Sequence, residues 1–257
     1  MMDPRHVLIL GGTGEARQLA EALVRKGDLR VTLSLAGRTA APRAQAGEVR
    51  SGGFGGAEGL ARYLRENSVG LLVDATHPFA ARISENVARA AEEVAVPLVS
   101  LERPPWQAVD GDRWIEAESI AGAARLLGEQ PHIVFLAIGR QELAPFAALP
   151  QHSYVVRSVD PVEPAAAPSN AHFILERGPF DEAAERVLFE KNGVEVIVAK
   201  NSGGKATYGK IAAARMLGLP VIMVCRPRPP TGDAVATVEE AMGRIRHLVR
   251  LPAERGE

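Results

Sequence analysis

Cysteine is nearly absent from this sequence: Cys225 is the single one in 257 residues. One cysteine cannot close an internal disulfide, and a chain of this length can bury a core without such a staple. Cys225 lies in the apolar run VIMVC and reads as a packed small hydrophobe, not a nucleophile. A reducing, cytoplasmic setting is expected. Long hydrophobic runs are also missing, and none approaches the ~18 consecutive apolar residues of a membrane span. The apolar stretch HVLIL near the N-terminus is too short for a secretory signal and follows Asp3. No membrane partner is expected. Neither sign of charge is in excess, with 30 Lys and Arg against 31 Asp and Glu. Aromatics are only 5% and are not interleaved with basic runs, which disfavours a nucleic-acid partner. The 6 histidines are scattered without metal-ligand spacing, so no metal is expected.

What is present is an alternation of short apolar runs with amphipathic helical stretches. HVLIL, RVTLSL, GLLVDAT and VPLVSL read as buried strands. Between them GEARQLAEALVRKG, AEGLARYLRENS and FAARISENVARAAEEV read as helices, the first with Ala16, Leu19, Ala20, Leu23 and Val24 on one face. Strand and helix alternating in this way imply crossover units and a parallel sheet with helices on both faces. The rhythm breaks at LERPPWQAVDGDR and then restarts, through HIVFLAIG, SYVVRSV, HFILERG, VEVIVAKNSGG and LPVIMVCRP. The expected architecture is α/β: two Rossmann-like halves with mostly parallel sheets and a ligand cleft between them. The expected boundaries are a nucleotide-binding domain at 1–103 and a substrate-binding domain at 104–257.

Several strand ends carry residues suited to ligands. In LILGGTGEA, Gly11, Gly12, Thr13 and Gly14 join a strand to a helix, exposing backbone N–H groups at a helix N-terminus, where an anion is favoured. The turn is either a cradle for a dinucleotide pyrophosphate or a plain tight turn, since Arg17 stands where a third glycine would be. The second strand ends LSLAGRT. Ser34 occupies the region where NAD enzymes place an acid, and Arg38 follows, a pattern that favours the 2′-phosphate of NADP over NAD. In RSGGFGG, Gly52, Gly53 and Phe54 read either as a surface loop or as a platform against a cofactor ring. VDATHPFA places Asp74, Thr76, His77 and Phe79 at a strand's carboxyl end, where ligands bind in open α/β sheets. In the second half, VAKNSGGKATYGK clusters Lys200, Asn201, Ser202, Gly203, Lys205 and Tyr208, and AIGR adds Arg140. Singly, each cation reads as a solvated surface charge. Together they point to a substrate with several carboxylates or phosphates.

LGGTGEARQLA, DATHPFA, RPPW, AIGR and KNSGGKATYGKIAAARMLGLPVIMVCRP together resemble the precorrin-6A reductases, NADPH-dependent enzymes of the corrin pathway to cobalamin. The likeness in order and spacing covers nearly the whole chain, and DATHPFA and KNSGG are its more specific parts. It implies hydride transfer from NADPH to one ring double bond of a tetrapyrrole, taking precorrin-6A to precorrin-6B, with both ligands between the halves. It further implies that Gly11, Gly12, Thr13 and Gly14 hold the pyrophosphate and that Ser34 and Arg38 hold the ribose phosphate. Asp74, Gly52, Gly53, Phe54 and Phe79 complete the cofactor side, and Thr76 and His77 are the catalytic candidates. Arg140, Lys200, Asn201, Ser202, Gly203, Lys205 and Tyr208 would meet the carboxylated precorrin. The resemblance names no proton donor.

Two other readings compete. A GGTG turn also suits a short-chain dehydrogenase or epimerase, but those carry Tyr-x-x-x-Lys, and here Tyr208 and Lys210 are two apart. A non-catalytic NADP sensor would have no need of the basic strand ends in the second half.

Overall fold

The computed structural model describes residues 3–37, 44–163, 167–227 and 234–250. They divide into two compact units, of which the second spans Pro104–Arg226. The first begins with β1 (Asp3–Leu10), α1 (Gly14–Lys26), β2 (Arg30–Leu35), β3 (Glu48–Ser51), α2 (Gly56–Glu66), β4 (Val69–Asp74), α3 (Ala81–Val94) and β5 (Leu98–Leu101). β1 is apolar throughout its second half because both its faces are covered. Val7 and Ile9 pack with Leu19 and Leu23 of α1. Leu8 and Leu10 point the other way, against Leu60 and Leu64 of α2 and Val87 and Ala90 of α3. The α1 helix starts at Thr13, whose side chain accepts from the Ala16 N–H, and ends at Gly27 in the left-handed conformation.

The second unit holds β6 (Arg113–Ala117), α4 (Ile120–Leu126), β7 (Ile133–Ala137), a 3-10 turn at Arg140–Glu142, α5 (Ala144–Ala147), β8 (Ser153–Ser158) and β9 (Ala171–Leu175). It continues with α6 (Glu182–Lys191), β10 (Val196–Lys200), α7 (Gly209–Met216) and β11 (Pro220–Val224). Its sheet has the order β6-β11-β10-β7-β8-β9, and every neighbouring pair is parallel. Phe135, Ile197, Ile211 and Met223 lie in its core.

The chain then returns. β12 (Ala234–Val235) pairs with β5, setting Ala234 beside Ser100 and Val235 beside Leu101. The closing helix α8 (Val238–Arg250) buries Ala241 and Ile245 in the same core as Leu19 and Leu23. The first sheet therefore reads β12-β5-β4-β1-β2-β3, all parallel, with the strand order of a dinucleotide-binding fold. This corrects the expected boundary. The segment 104–257 is not one unit, because its last strand and helix complete the first. The apolar stripe of α8 needs the face that α1 and β5 leave uncovered, and linear order alone does not show that return. β3, β6 and β12 are the strands absent from the sequence reading; β3 and β12 are short, and β3 is mostly exposed and polar. Among the described residues, no helix is long and apolar enough to cross a membrane.

Ile245 has no exposed surface. Ile245→Ala should cost about 2–5 kcal/mol through lost burial and the cavity left behind. Urea denaturation checks this, and the loss should appear in the transition of the first unit. A change below about 0.5 kcal/mol would mean that α8 is not part of that core.

Candidate active site

In the first sheet the chain runs outward in opposite directions from β1 and β4, so their carboxyl ends flank the crevice where open α/β sheets take ligands. Backbone bonds lace the loops there. Gly11 N–H donates to Ser34 O at 2.9 Å, and Ala75 N–H donates to Leu10 O at 2.9 Å. The Thr13 hydroxyl donates to Ala75 O at 2.8 Å while accepting from Ala16 N–H at 3.1 Å. A pocket opens beside this junction, lined by Gly11, Ser34, Gly52, Gly53, Phe54 and Thr76, together with Ala36, Leu60, Arg82, Ile83, Asn86 and Val87. Six of the residues singled out in the sequence thus meet in one place. Arg38 lies outside the described residues.

The three glycines of the turn differ in what they answer to. A side chain at Gly11 would meet Leu33 Cδ1 at 2.7 Å, so packing against β2 excludes one. Gly12 has φ +117°, which favours glycine whatever the space. Gly14 sits in the first turn of α1 with ordinary helical geometry, and a Cβ there would meet nothing within 4 Å. The fold itself does not require glycine at position 14. The adjacent Glu15 is paired with Arg103 at 2.6 Å, which offsets a negative charge beside an anion-suited helix start.

At the end of β4, Asp74 is buried, and its Oδ1 accepts from Thr76 N–H at 3.0 Å and from the Thr76 hydroxyl at 2.7 Å. Asp74 therefore shapes the turn. His77 Nδ1 accepts from Phe79 N–H at 3.2 Å, so the neutral ring carries its proton on Nε2. Phe79 also lies against His77, with ring centroids 5.8 Å apart.

In the second sheet the corresponding divergence is between β7 and β10, and it brings Arg140 and Lys200 to neighbouring strand ends. Lys200 is ion-paired with Glu142, which also accepts from Gly139 N–H at 2.9 Å. Arg140 donates to Pro161 O at 3.2 Å and lies 3.8 Å from Asp160. The expected local positive bias is balanced by these two carboxylates. Asn201 clamps the backbone of Trp106: its Oδ1 accepts from Trp106 N–H at 2.8 Å, and its Nδ2 donates to Trp106 O at 3.0 Å. The Trp106 indole N–H donates to Gly204 O at 2.9 Å, and Tyr208 meets the indole edge-on at 5.7 Å. Gly203 has φ +65°, and a Cβ there would come within 2.1 Å of Pro104 O. Ser202 is buried and Lys205 is exposed. The PPW of RPPW and KNSGG, separate in sequence, are two sides of one packed assembly in the second unit.

Among the described residues, no group of three or more His, Cys, Asp or Glu is placed to hold a metal. Burial first, then Glu116 and Glu118, pushes the Cys225 thiol up, away from thiolate chemistry.

A model of the family described as precorrin-6x reductase CbiJ/CobK matches residues 6–246. The chain belongs to that family. A precorrin-6A reductase of Sinorhizobium sp is 53% identical, over 96% of this chain and 94% of its own. A cobalt-precorrin-6A reductase of Priestia megaterium is 32% identical, over 95% and 99%. The solved structure of CobK precorrin-6A reductase superposes with a TM-score of 0.91 at 44% identity, covering 96% of this chain and 97% of that one.

Against this family frame, two features of the site stand apart from the sequence reading. Arg82 and Asn86 reach the pocket from α3, one helical turn apart, where they read as an ordinary polar face. Arg50, at the end of β3, is bonded to Ser34, Gly52 and Gly53 and stacked on Phe54. Its signal was available: it is the arginine that opens RSGGFGG.

The Asn201 clamp is a stability device on these contacts. Asn201→Ala leaves the Trp106 N–H and C=O without their partner, at a cost of about 1–3 kcal/mol. The expected result is a lower denaturation midpoint together with a changed Trp106 emission, read in a Trp114→Phe background. An unchanged midpoint would mean that the clamp contributes nothing to the fold.

Proposed function

We propose that this chain reduces precorrin-6A, with NADPH as the reductant, in cobalamin biosynthesis. The observation that carries the reading is the near full-length likeness to a precorrin-6A reductase at 53% identity. The higher identity to that relative than to the cobalt-precorrin relative favours a metal-free substrate. Use of NADPH fits the cytoplasm, and the net charge of −1 gives no electrostatic footprint for nucleic acid.

The first unit holds the cofactor. Backbone N–H groups at the start of α1 and the helix dipole receive the pyrophosphate, with Gly12 and Gly14 allowing close approach. Ser34 stands where a carboxylate would repel a 2′-phosphate, and Arg38 follows it in the chain. When bound, NADPH supplies a hydride to one ring double bond. Thr76 and His77 orient the reacting end, His77 presenting a hydrogen-bond donor at Nε2 in its neutral tautomer. Arg140 and Lys200 hold substrate carboxylates, exchanging their present partners Asp160 and Glu142 for them.

A short-chain dehydrogenase fits less well. Its tyrosine and lysine act together on the substrate, whereas here the Lys210 ammonium is buried, donating to Thr207 O at 2.6 Å with the Trp106 ring 4.8 Å away. The Tyr208 hydroxyl accepts from Arg215. A passive sensor is separated by mixing: a reductase oxidises NADPH in step with precorrin-6A loss, and a sensor leaves both unchanged.

Gly14→Ala tests the cradle. The added methyl meets no protein atom and removes a glycine from a helix, so stability should hold or rise by up to about 1 kcal/mol. NADPH affinity should fall at least about 10-fold, because a methyl group crowds the pyrophosphate. Unchanged affinity would reduce the glycines to a turn.

Lys200→Ala and Arg140→Ala should weaken binding of the tetrapyrrole, and more so at high salt, because the remaining contacts are screened. NADPH affinity should stay near that of the unaltered protein. Titrating each ligand separately decides the matter, and the opposite pattern would reverse the roles of the two units.

A further inference from the structure

Arg50 has no place in the reading above, yet its guanidinium is among the most constrained cationic groups of the first unit. Nη1 donates to Ser34 Oγ at 2.8 Å and to Gly52 O at 2.9 Å, and Nη2 donates to Gly53 O at 3.2 Å. Its plane lies over the Phe54 ring, 3.8 Å from the centroid, and Phe54 is braced edge-on by Tyr63 at 5.1 Å. The parallel register of β2 and β3 sets Arg50 directly opposite Ser34, the residue at the acid position of NAD enzymes. Ser34, Gly52, Gly53 and Phe54 all line the pocket.

The geometry points to Arg50 as the residue that selects a 2′-phosphorylated adenine nucleotide, rather than Arg38 alone. An arginine carries five N–H donors in a fixed fork. The three bonds to Ser34, Gly52 and Gly53 leave the Nε–H and one Nη2–H for further acceptors. Two such donors match two phosphate oxygens. None of these partners of Arg50 is a carboxylate, so its charge is not neutralised by contact within the described residues. A brace for a glycine loop would need only the bonds to the two carbonyls. Bonding to Ser34 as well, and stacking on Phe54, hold the cation at the end of β2, where the ribose lies in this strand order.

The inference rests on the proposed use of NADPH, so the experiment uses probes that separate the two. Binding of 2′,5′-ADP and of 5′-AMP is measured by calorimetry for the unaltered protein, Arg50→Ala, Arg50→Lys and Arg82→Ala. The unaltered protein should prefer 2′,5′-ADP. Arg50→Ala should lose about 10- to 150-fold for 2′,5′-ADP, the range for a charge-assisted contact, and stay within about twofold for 5′-AMP. Arg50→Lys keeps the charge without the fork and should fall between. Should Arg50→Ala fail to fold, Arg50→Lys decides, with a loss above about threefold confined to 2′,5′-ADP expected. Equal losses for both probes would make Arg50 a loop brace and overturn the assignment. So would no loss in Arg50→Ala, or a loss of discrimination only in Arg82→Ala. No preference in the unaltered protein would instead remove the NADPH reading, and the assignment with it.

Discussion

One hydroxyl fixes the geometry on which the first unit depends. Thr13 caps α1 through its oxygen and, through its proton, ties that helix start to the backbone leaving β4. The two strands it joins are the pair at which the sheet order reverses. With Gly11 bonded to Ser34 O and Ala75 bonded to Leu10 O, the ends of β2, β1 and β4 form one laced floor. The pocket residues come from the loops after β1, β2, β3 and β4 and from α2 and α3, and hold their positions because that floor is continuous. Helix-start donors aimed at an anion are useful only when the loop presenting them keeps its shape in the absence of the anion.

The two glycine loops look alike in sequence and are unlike in space. Around Gly12 and Gly14 a methyl group would meet nothing within 4 Å. Around Gly203 the room is already filled by Pro104 O and Arg226. The first loop is open and the second is packed. Room is therefore left beside the glycines of the first loop, and the glycines of the second serve close backbone approach. The strand-end charges of the second unit, Arg140 and Lys200, are each held near a carboxylate.

Most of the fold was legible because buried parallel strands are continuous apolar runs and their helices carry one apolar stripe. β3 and β12 escaped because 4 and 2 residues are too few to show a period. The return of α8 escaped because a pattern along the chain does not say which layer a helix joins. Within the site, Gly11, Ser34, Gly52, Gly53, Phe54 and Thr76 were legible from their places at strand ends, and one pocket gathers them. Asn201 was read as a ligand contact, and the structure gives it a partner 95 positions away in sequence. Arg50 acquires its setting only through register with Ser34, which no local motif encodes. The reading of Arg38 falls outside the described residues.

The central claim is that the chain moves a hydride from a nicotinamide held by the first unit to a tetrapyrrole. Incubation of precorrin-6A with NADPH deuterated at the transferred position of C4, followed by mass spectrometry of the product, tests it most directly. The account predicts a product heavier than the substrate by one deuterium from the cofactor and one hydrogen from solvent. A reduced product with no deuterium from the cofactor, or no reduction by NADPH at all, would contradict it.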